Sequence, residues 1–128
     1  MTGIVALLAL LAGCGVHHPV VTAHDLVVAP ERFADVEVVV AGQVKNPRFR
    51  IPERGNSYTT FTLADGTASV PVFGWGKLDI DGGDFVEVRG IFRRAAAAGS
   101  DEVRDAVEAT FVRRLRAATP LPGPSGVP

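Results

Sequence analysis

The chain has 128 residues, 47% of them apolar, a single cysteine and a net charge of −1 at neutral pH. Length excludes a multidomain enzyme, because single domains run to roughly 100–150 residues, and one cysteine excludes a disulfide scaffold. All charged side chains lie between Asp25 and Arg116, thirteen basic against fourteen acidic, so the strongly basic footprint of a tight nucleic-acid binder is missing.

In chain order, Ile4 to Ala12 comes first, an unbroken apolar run followed by Gly13-Cys14-Gly15. As a helix it would span about 13.5 Å, under half of a ~30 Å hydrocarbon core, so it is too short for a resident transmembrane helix. It suits the apolar region of a secretory signal followed by small residues at a cleavage point. Leu11-Ala12-Gly13-Cys14 resembles the lipobox of bacterial lipoproteins. That resemblance implies a signal peptide over 1–13 and lipidation, palmitate included, of Cys14 as the first mature residue. Met1-Thr2-Gly3 departs from the pattern, because it holds no Lys or Arg. Residues 14–23 then read as the lipidated cysteine and a tether leading into an extended segment.

The folded part is expected over 24–116 and reads mostly as strands. Pro30-Glu31-Arg32-Phe33 is a short turn before the β-branched run Val36 to Val44, which the Asn46-Pro47 signal should end. Ser57 to Leu63 alternates and stops at Asp65-Gly66, a hairpin signal, with Ala68 to Trp75 returning. Pro71 lacks an N–H and belongs at an edge or a bulge. Asp81-Gly82-Gly83-Asp84 turns the chain into Phe85 to Phe92. Ser100 is a candidate cap for a short helix over Asp101 to Glu108, with its acidic residues near the positive end. A last strand runs through Ala109 to Val112. Residues 117–128 close on TPLPGPSGVP, which reads as a disordered spacer, although Pro-rich segments also serve as ligands for aromatic grooves.

Pro30–Phe33 before VEVVVAGQV, then YTTFTLADG, then Gly82-Gly83-Asp84 before FVEVRGIF together resemble the OB-fold, in particular the nucleic-acid-binding-like OB domains of bacterial envelope proteins. The resemblance implies a mainly β chain: a five-stranded OB-fold-like barrel with one or two short helices, preceded by a lipoprotein signal peptide. The second and third strands of such a barrel form the common ligand face.

Strand parity sorts the side chains. Thr59, Phe61 and Leu63 should share the inner face with Ala68, Val70 and Val72. Val38, Val40, Phe61, Val70, Val72, Val86 and Val88 make the expected core. Tyr58, Thr60, Phe73 and Trp75 then fall outside, as a ligand-binding face with Lys45, Arg48 and Arg50 supplying cations beside it and Arg54 close by. Aromatics in such a place can stack on bases, and cations can hold an anionic backbone.

Catalysis finds no support. His17, His18 and His24 lie in or beside the tether, with no metal-ligand spacing around them. The acidic turn of Asp79, Asp81 and Asp84 lacks the glutamate that closes a calcium loop and reads as solvated. Ser57 and Ser69 have no histidine base on the barrel, and the absence of any histidine beyond His24 speaks against haem carriage. No catalytic, metal or cofactor site is therefore expected. The leading expectation is a non-enzymatic binding or adaptor module, held at the membrane by lipidated Cys14 and facing the periplasm or exterior. Its partner would be an envelope protein or polysaccharide. The alternative is an oligonucleotide-binding domain using the aromatic and basic face.

Overall fold

A computed structural model describes residues 18–98 and 101–118. The expected signal peptide over 1–13, Cys14, His17, the expected cap Ser100 and the Pro-rich segment from Thr119 onward lie outside them. Five strands account for most of the described chain: β1 Glu37–Arg50, β2 Tyr58–Ala64, β3 Ser69–Trp75, β4 Phe85–Ala98 and β5 Asp101–Arg116. They bond in the order β1-β2-β3-β5-β4 and β4 returns to β1, closing the sheet into a barrel. The closure depends on β1 serving two partners. Glu37 to Gln43 pairs with β4, and Gln43 to Arg50 pairs with β2, all antiparallel.

The expected core is present. Val38, Val40, Phe61, Val70, Val72, Val86 and Val88 are all buried, and Phe92, Leu63 and Val107 join them. At the β2–β3 turn, Asp65 N–H donates to Ala68 O and Gly66 adopts φ 90°, a left-handed backbone that glycine takes without steric cost. Pro71 is exposed just outside the two β3–β5 pairs, Val72↔Val107 and Phe73↔Glu108, where no ladder bond is required of it.

Three expectations are corrected. Asn46-Pro47 does not end β1: the strand runs on to Arg50, with a register shift between Lys45 and Arg48 and Asn46 at φ 51°. The turn signal has become a bulge. The helix over Asp101 to Glu108 is absent, since these residues open β5 and pair with β4 from Ala98↔Asp101 onward. Any helix preference of this acidic stretch is overridden by cross-strand pairing, which its two valines suit. Burial there alternates with period two, Glu102 and Arg104 outward against Val103 and Asp105. Finally, the chain before His24 is not all tether. Val20 bridges Val39 in parallel, and a helix α1 spans Ala23–Val28, burying Ala23 and Leu26 against the barrel.

The signal for α1 is legible in retrospect: Thr22 and Asp25 form a capping box, Thr22 Oγ1 accepting the Asp25 N–H at 3.1 Å and Asp25 Oδ2 accepting the Thr22 N–H at 2.9 Å. The turn Pro30–Phe33 is a single stretch of 3-10 helix, as a short turn there should be.

Candidate functional site

Cross-strand register turns the outer side of β1, β2 and β3 into three rows. The first is Arg50, Tyr58 and Trp75; the second is Arg48, Thr60 and Phe73; the third is Lys45, Thr62 and Pro71. The bulge is what makes this possible. Lys45 and Arg48 are three apart, an odd spacing that would put them on opposite faces of a regular strand. One extra residue at Asn46-Pro47 restores the parity, so Lys45, Arg48 and Arg50 all face out and are exposed. All seven ligand-face candidates therefore sit on one side of the sheet.

They are not all accessible. Tyr58 is 3% exposed and Phe73 is 1% exposed, against 41% for Trp75. The expectation that all three aromatics lie open is wrong for two of them. Trp75 stands edge-on to both, with ring centroids 6.0 Å from Tyr58 and 5.9 Å from Phe73. The start of β5 adds a second cover, for Val103 lines one groove with Thr60, Thr62 and Phe73. On the outer side of β3, Phe73 thus lies against Trp75 and shares a groove with Val103 of β5.

Trp75 is itself held. Its Nε1 donates to Glu108 Oε2 at 3.0 Å, the other Glu108 oxygen accepts Arg93 Nε at 2.9 Å, and Arg93 reaches Asp35 at 3.1 Å. Burial pushes the Glu108 carboxyl up, but the indole and guanidinium donors outweigh it and hold the group below the usual carboxylate range. This chain of contacts crosses β3, β5, β4 and the residues before β1. It fixes Trp75 as a lid on Tyr58 and Phe73 that still shows part of its ring.

The groove beside these rows measures about 260 Å³, with Asn46, Arg48 and Arg50 on one wall and Val103 on the other. Its charge is distinctive. Arg93, Arg94, Arg104, Arg113 and Arg114 are in ion pairs. Arg32, Lys77, Arg89 and Arg116 lie over aromatic rings. Lys45, Arg48, Arg50 and Arg54 have neither kind of contact among the described residues. The cations without an internal partner are thus gathered on the second half of β1 and the loop after it.

The acidic turn before β4 also departs from its sequence reading. Asp79 and Asp81 are exposed, but Asp84 is buried, accepting Asp81 N–H at 2.8 Å, Ala118 N–H at 2.9 Å and Arg114 Nε at 3.0 Å. Burial raises its pKa and these donors lower it further, so it stays ionised below the usual range. Asp84 ties the end of β5 to the turn; the glycines beside it hid that role in the sequence. Among the described residues, no group of three His, Cys, Asp or Glu is placed to hold a metal ion.

No family model and no curated protein matches this chain. Solved structures do. A chain provisionally assigned as an aspartyl-tRNA synthetase from Leishmania major superposes with a TM-score of 0.58 at 12% identity, over 84% of this chain and 23% of its own. The present chain therefore spans less than a quarter of that protein. An OBody bound to hen egg-white lysozyme matches with a TM-score of 0.50 at 23% identity, covering 68% of this chain and 88% of that one. The OB domain of Ta0387 from Thermoplasma acidophilum matches with a TM-score of 0.51 at 18% identity, covering 80% and 92%. At such identities the likeness speaks to fold, and the fold is OB-like.

Proposed function

We propose that this chain is a non-enzymatic binding module that lays an extended, anionic polymer of the cell envelope across the outer side of β1 to β3. The observation that carries the reading is the set of Lys45, Arg48 and Arg50, exposed and without ion-pair partners among the described residues, on a strand whose bulge turns all three the same way. Cations left unneutralised at a groove hold polyanions and set a salt-dependent affinity. Thr60 and Thr62 add hydroxyls along the next strand, half-buried in the same groove. The working place would be the bacterial envelope, through a lipid on Cys14. That part rests on the apolar run Ile4 to Ala12 and the lipobox-like Leu11–Cys14.

A second reading, oligonucleotide binding, is favoured by Trp75, the partly open aromatic at the end of the Arg50 row. Burial of Tyr58 and Phe73 counts against it, because it leaves one ring where base stacking would use several. The OB domains among the similar structures support a binding role without choosing the ligand.

Titration against an acidic glycan such as polygalacturonate, and separately against single-stranded oligothymidylate, distinguishes the two while following Trp75 fluorescence. The glycan should bind with an affinity that falls as salt rises, and Arg48→Ala/Arg50→Ala should abolish it while leaving the melting temperature unchanged. Preferential oligonucleotide binding, with a salt slope that drops by about 0.7 for each cation removed, would establish the second reading instead. Binding of neither polymer, or binding indifferent to the double variant, removes the cation face as a site.

A further inference from the structure

The exposed cations on the outer side of β1 are evenly spaced, and β2 is the ruler that shows it. Lys45, Arg48 and Arg50 stand opposite Thr62, Thr60 and Tyr58, successive alternate residues of the neighbouring strand. Each step is therefore two strand residues, or about 6.7 Å. Without the bulge Lys45 would fall on the other face; with it, three cations keep one equal step. Arg48 and Arg50 line the groove beside Thr60 and Phe73. Stems laid along such a wall limit how far the charged heads stray from that spacing.

The groove is also one-sided. Among the described residues that line it none is acidic: Asn46, Arg48 and Arg50 form one wall, and Pro71, Phe73 and Val103 form an apolar one. A bound polymer must keep its charges in a line on the β1 side and turn uncharged parts toward β3 and β5. Carboxylates that project from successive sugar rings in different directions meet that demand poorly, because some would face Pro71 and Val103 without a partner. A phosphodiester chain meets it, since the charge sits in the backbone and the linkers are neutral.

Counting bonds fixes the repeat. Two residues of an extended strand contain six backbone bonds. A phosphodiester chain with three carbons between phosphates also has six per charge: P–O, O–C, two C–C, C–O and O–P. Both are extended zigzags of similar bond length, so successive phosphates can stand over successive cations. Building on the polyanion reading of this face, we propose that it selects a linear phosphodiester chain with a three-carbon backbone repeat. Its phosphates lie in register on Lys45, Arg48 and Arg50, the guanidinium forks gripping two oxygens each and the ammonium acting as a point charge. Polyol phosphates and single-stranded nucleic acids share this repeat, and the fit is to the repeat itself.

Synthetic oligomers with equal numbers of phosphates joined by ethanediol, propanediol or hexanediol vary the repeat alone, to five, six or nine backbone bonds per charge. In calorimetric titration of the full chain, the propanediol oligomer should bind about tenfold tighter than either of the others, the cost of one charge-assisted contact out of register. Ethanediol is the decisive control, because charge density alone would make the denser chain the tighter ligand. Lys45→Ala should shrink the preference and lower the salt slope by about 0.7. Equal affinity for the three oligomers, affinity that follows charge density, or polygalacturonate binding as tightly at equal charge overturns the proposal and leaves the cation face standing. Binding of none of them, or binding unchanged in Arg48→Ala/Arg50→Ala, removes the face and the proposal together. Where the propanediol preference holds, poly(glycerol phosphate) and oligothymidylate of matched length separate the two sources: the tighter of them identifies the linker that the apolar wall accepts.

Discussion

Asp65 Oδ2 accepts the Ala23 N–H at 2.7 Å, while Oδ1 takes the Thr67 hydroxyl at 2.6 Å and the Thr67 N–H at 2.9 Å. One turn carboxylate thus closes its own hairpin and fastens the first turn of α1 to it. Burial raises its pKa, but these donors win and bring it to about 2 from 3.8. A depressed folded value means that the charge stabilises the fold above the unfolded pKa. That contribution is complete above about pH 4 and disappears as the pH falls toward 2. Asp65→Ala should lower stability by about 1–2 kcal/mol at pH 7 and flatten the acid limb between pH 4 and 2. Thermal melts across that range check it, and parallel profiles for the two proteins would dismiss the role. Trp75 is the other residue with a double duty. Trp75→Ala removes a lid from Tyr58 and Phe73 and a donor from Glu108. The expected loss is about 2 kcal/mol, less than for a fully buried ring because part of Trp75 already faces water. A urea midpoint equal to wild type would show that its packing contributes nothing.

The β4–β5 hairpin is the element that makes this barrel particular. It pairs from Phe85↔Arg116 to Ala98↔Asp101, and its Val103 lines a groove with Pro71 and Phe73 of β3. The register shifts between Arg89 and Gly90, and there Gly90 faces the Glu108 carbonyl so closely that any Cβ would collide with backbone. Glu108 is the residue that holds both Trp75 and Arg93. Gly90→Ala should therefore act at two places, costing about 1–3 kcal/mol by overpacking and releasing the indole from its acceptor. The expected signature is a lower denaturation midpoint together with a changed Trp75 emission maximum. A variant with unchanged emission would mean that the strand absorbs the extra carbon without moving Glu108.

At the scale of the whole molecule, the described barrel begins close to the proposed anchor. Val21 N–H donates to Val39 O and Pro19 O accepts the Val39 N–H, so four residues lie between Cys14 and the first residue bonded to the sheet. In that reading the barrel sits near the membrane surface rather than at the end of a long stalk. Two or more acyl chains hold a protein firmly where one holds it marginally, and the thiol of Cys14 is the acceptor that such an anchor would need. Cys14→Ser should therefore abolish incorporation of a fatty-acid analogue in bacterial cells and shift the protein out of the membrane fraction. Equal labelling of both forms would defeat the anchor while leaving the cation face untouched.

Alternation of β-branched and small residues was enough to place β2, β3 and the first parts of β1 and β4, the inward set from Val38 to Val88 and the outward parity of Thr60, Phe73 and Trp75. It did not place the extension of β1 to Arg50, of β4 to Ala98 or of β5 back to Asp101. What alternation does place is local: a side chain's direction follows from its position in a strand, and Asp65-Gly66 dictates a tight reversal without help from elsewhere. Coverage is not local. Phe73 and Tyr58 point outward as parity requires, yet they are buried, with Trp75 edge-to-face against both and Val103, thirty residues on, beside Phe73. Strand identity over Asp101 to Glu108 has the same origin, since a serine followed by acidic residues reads as a helix start until β4 offers the segment a ladder. The three cations share a face because a bulge shifts the phase of β1 by one residue, and Asn46-Pro47 reads equally well as the end of a strand. Asp84 looks like one more solvated carboxylate until the end of β5 returns to it with Arg114 and Ala118. Each of these outcomes was settled by a partner distant in the chain, and the energy of such a contact is not written in the residues on either side of it.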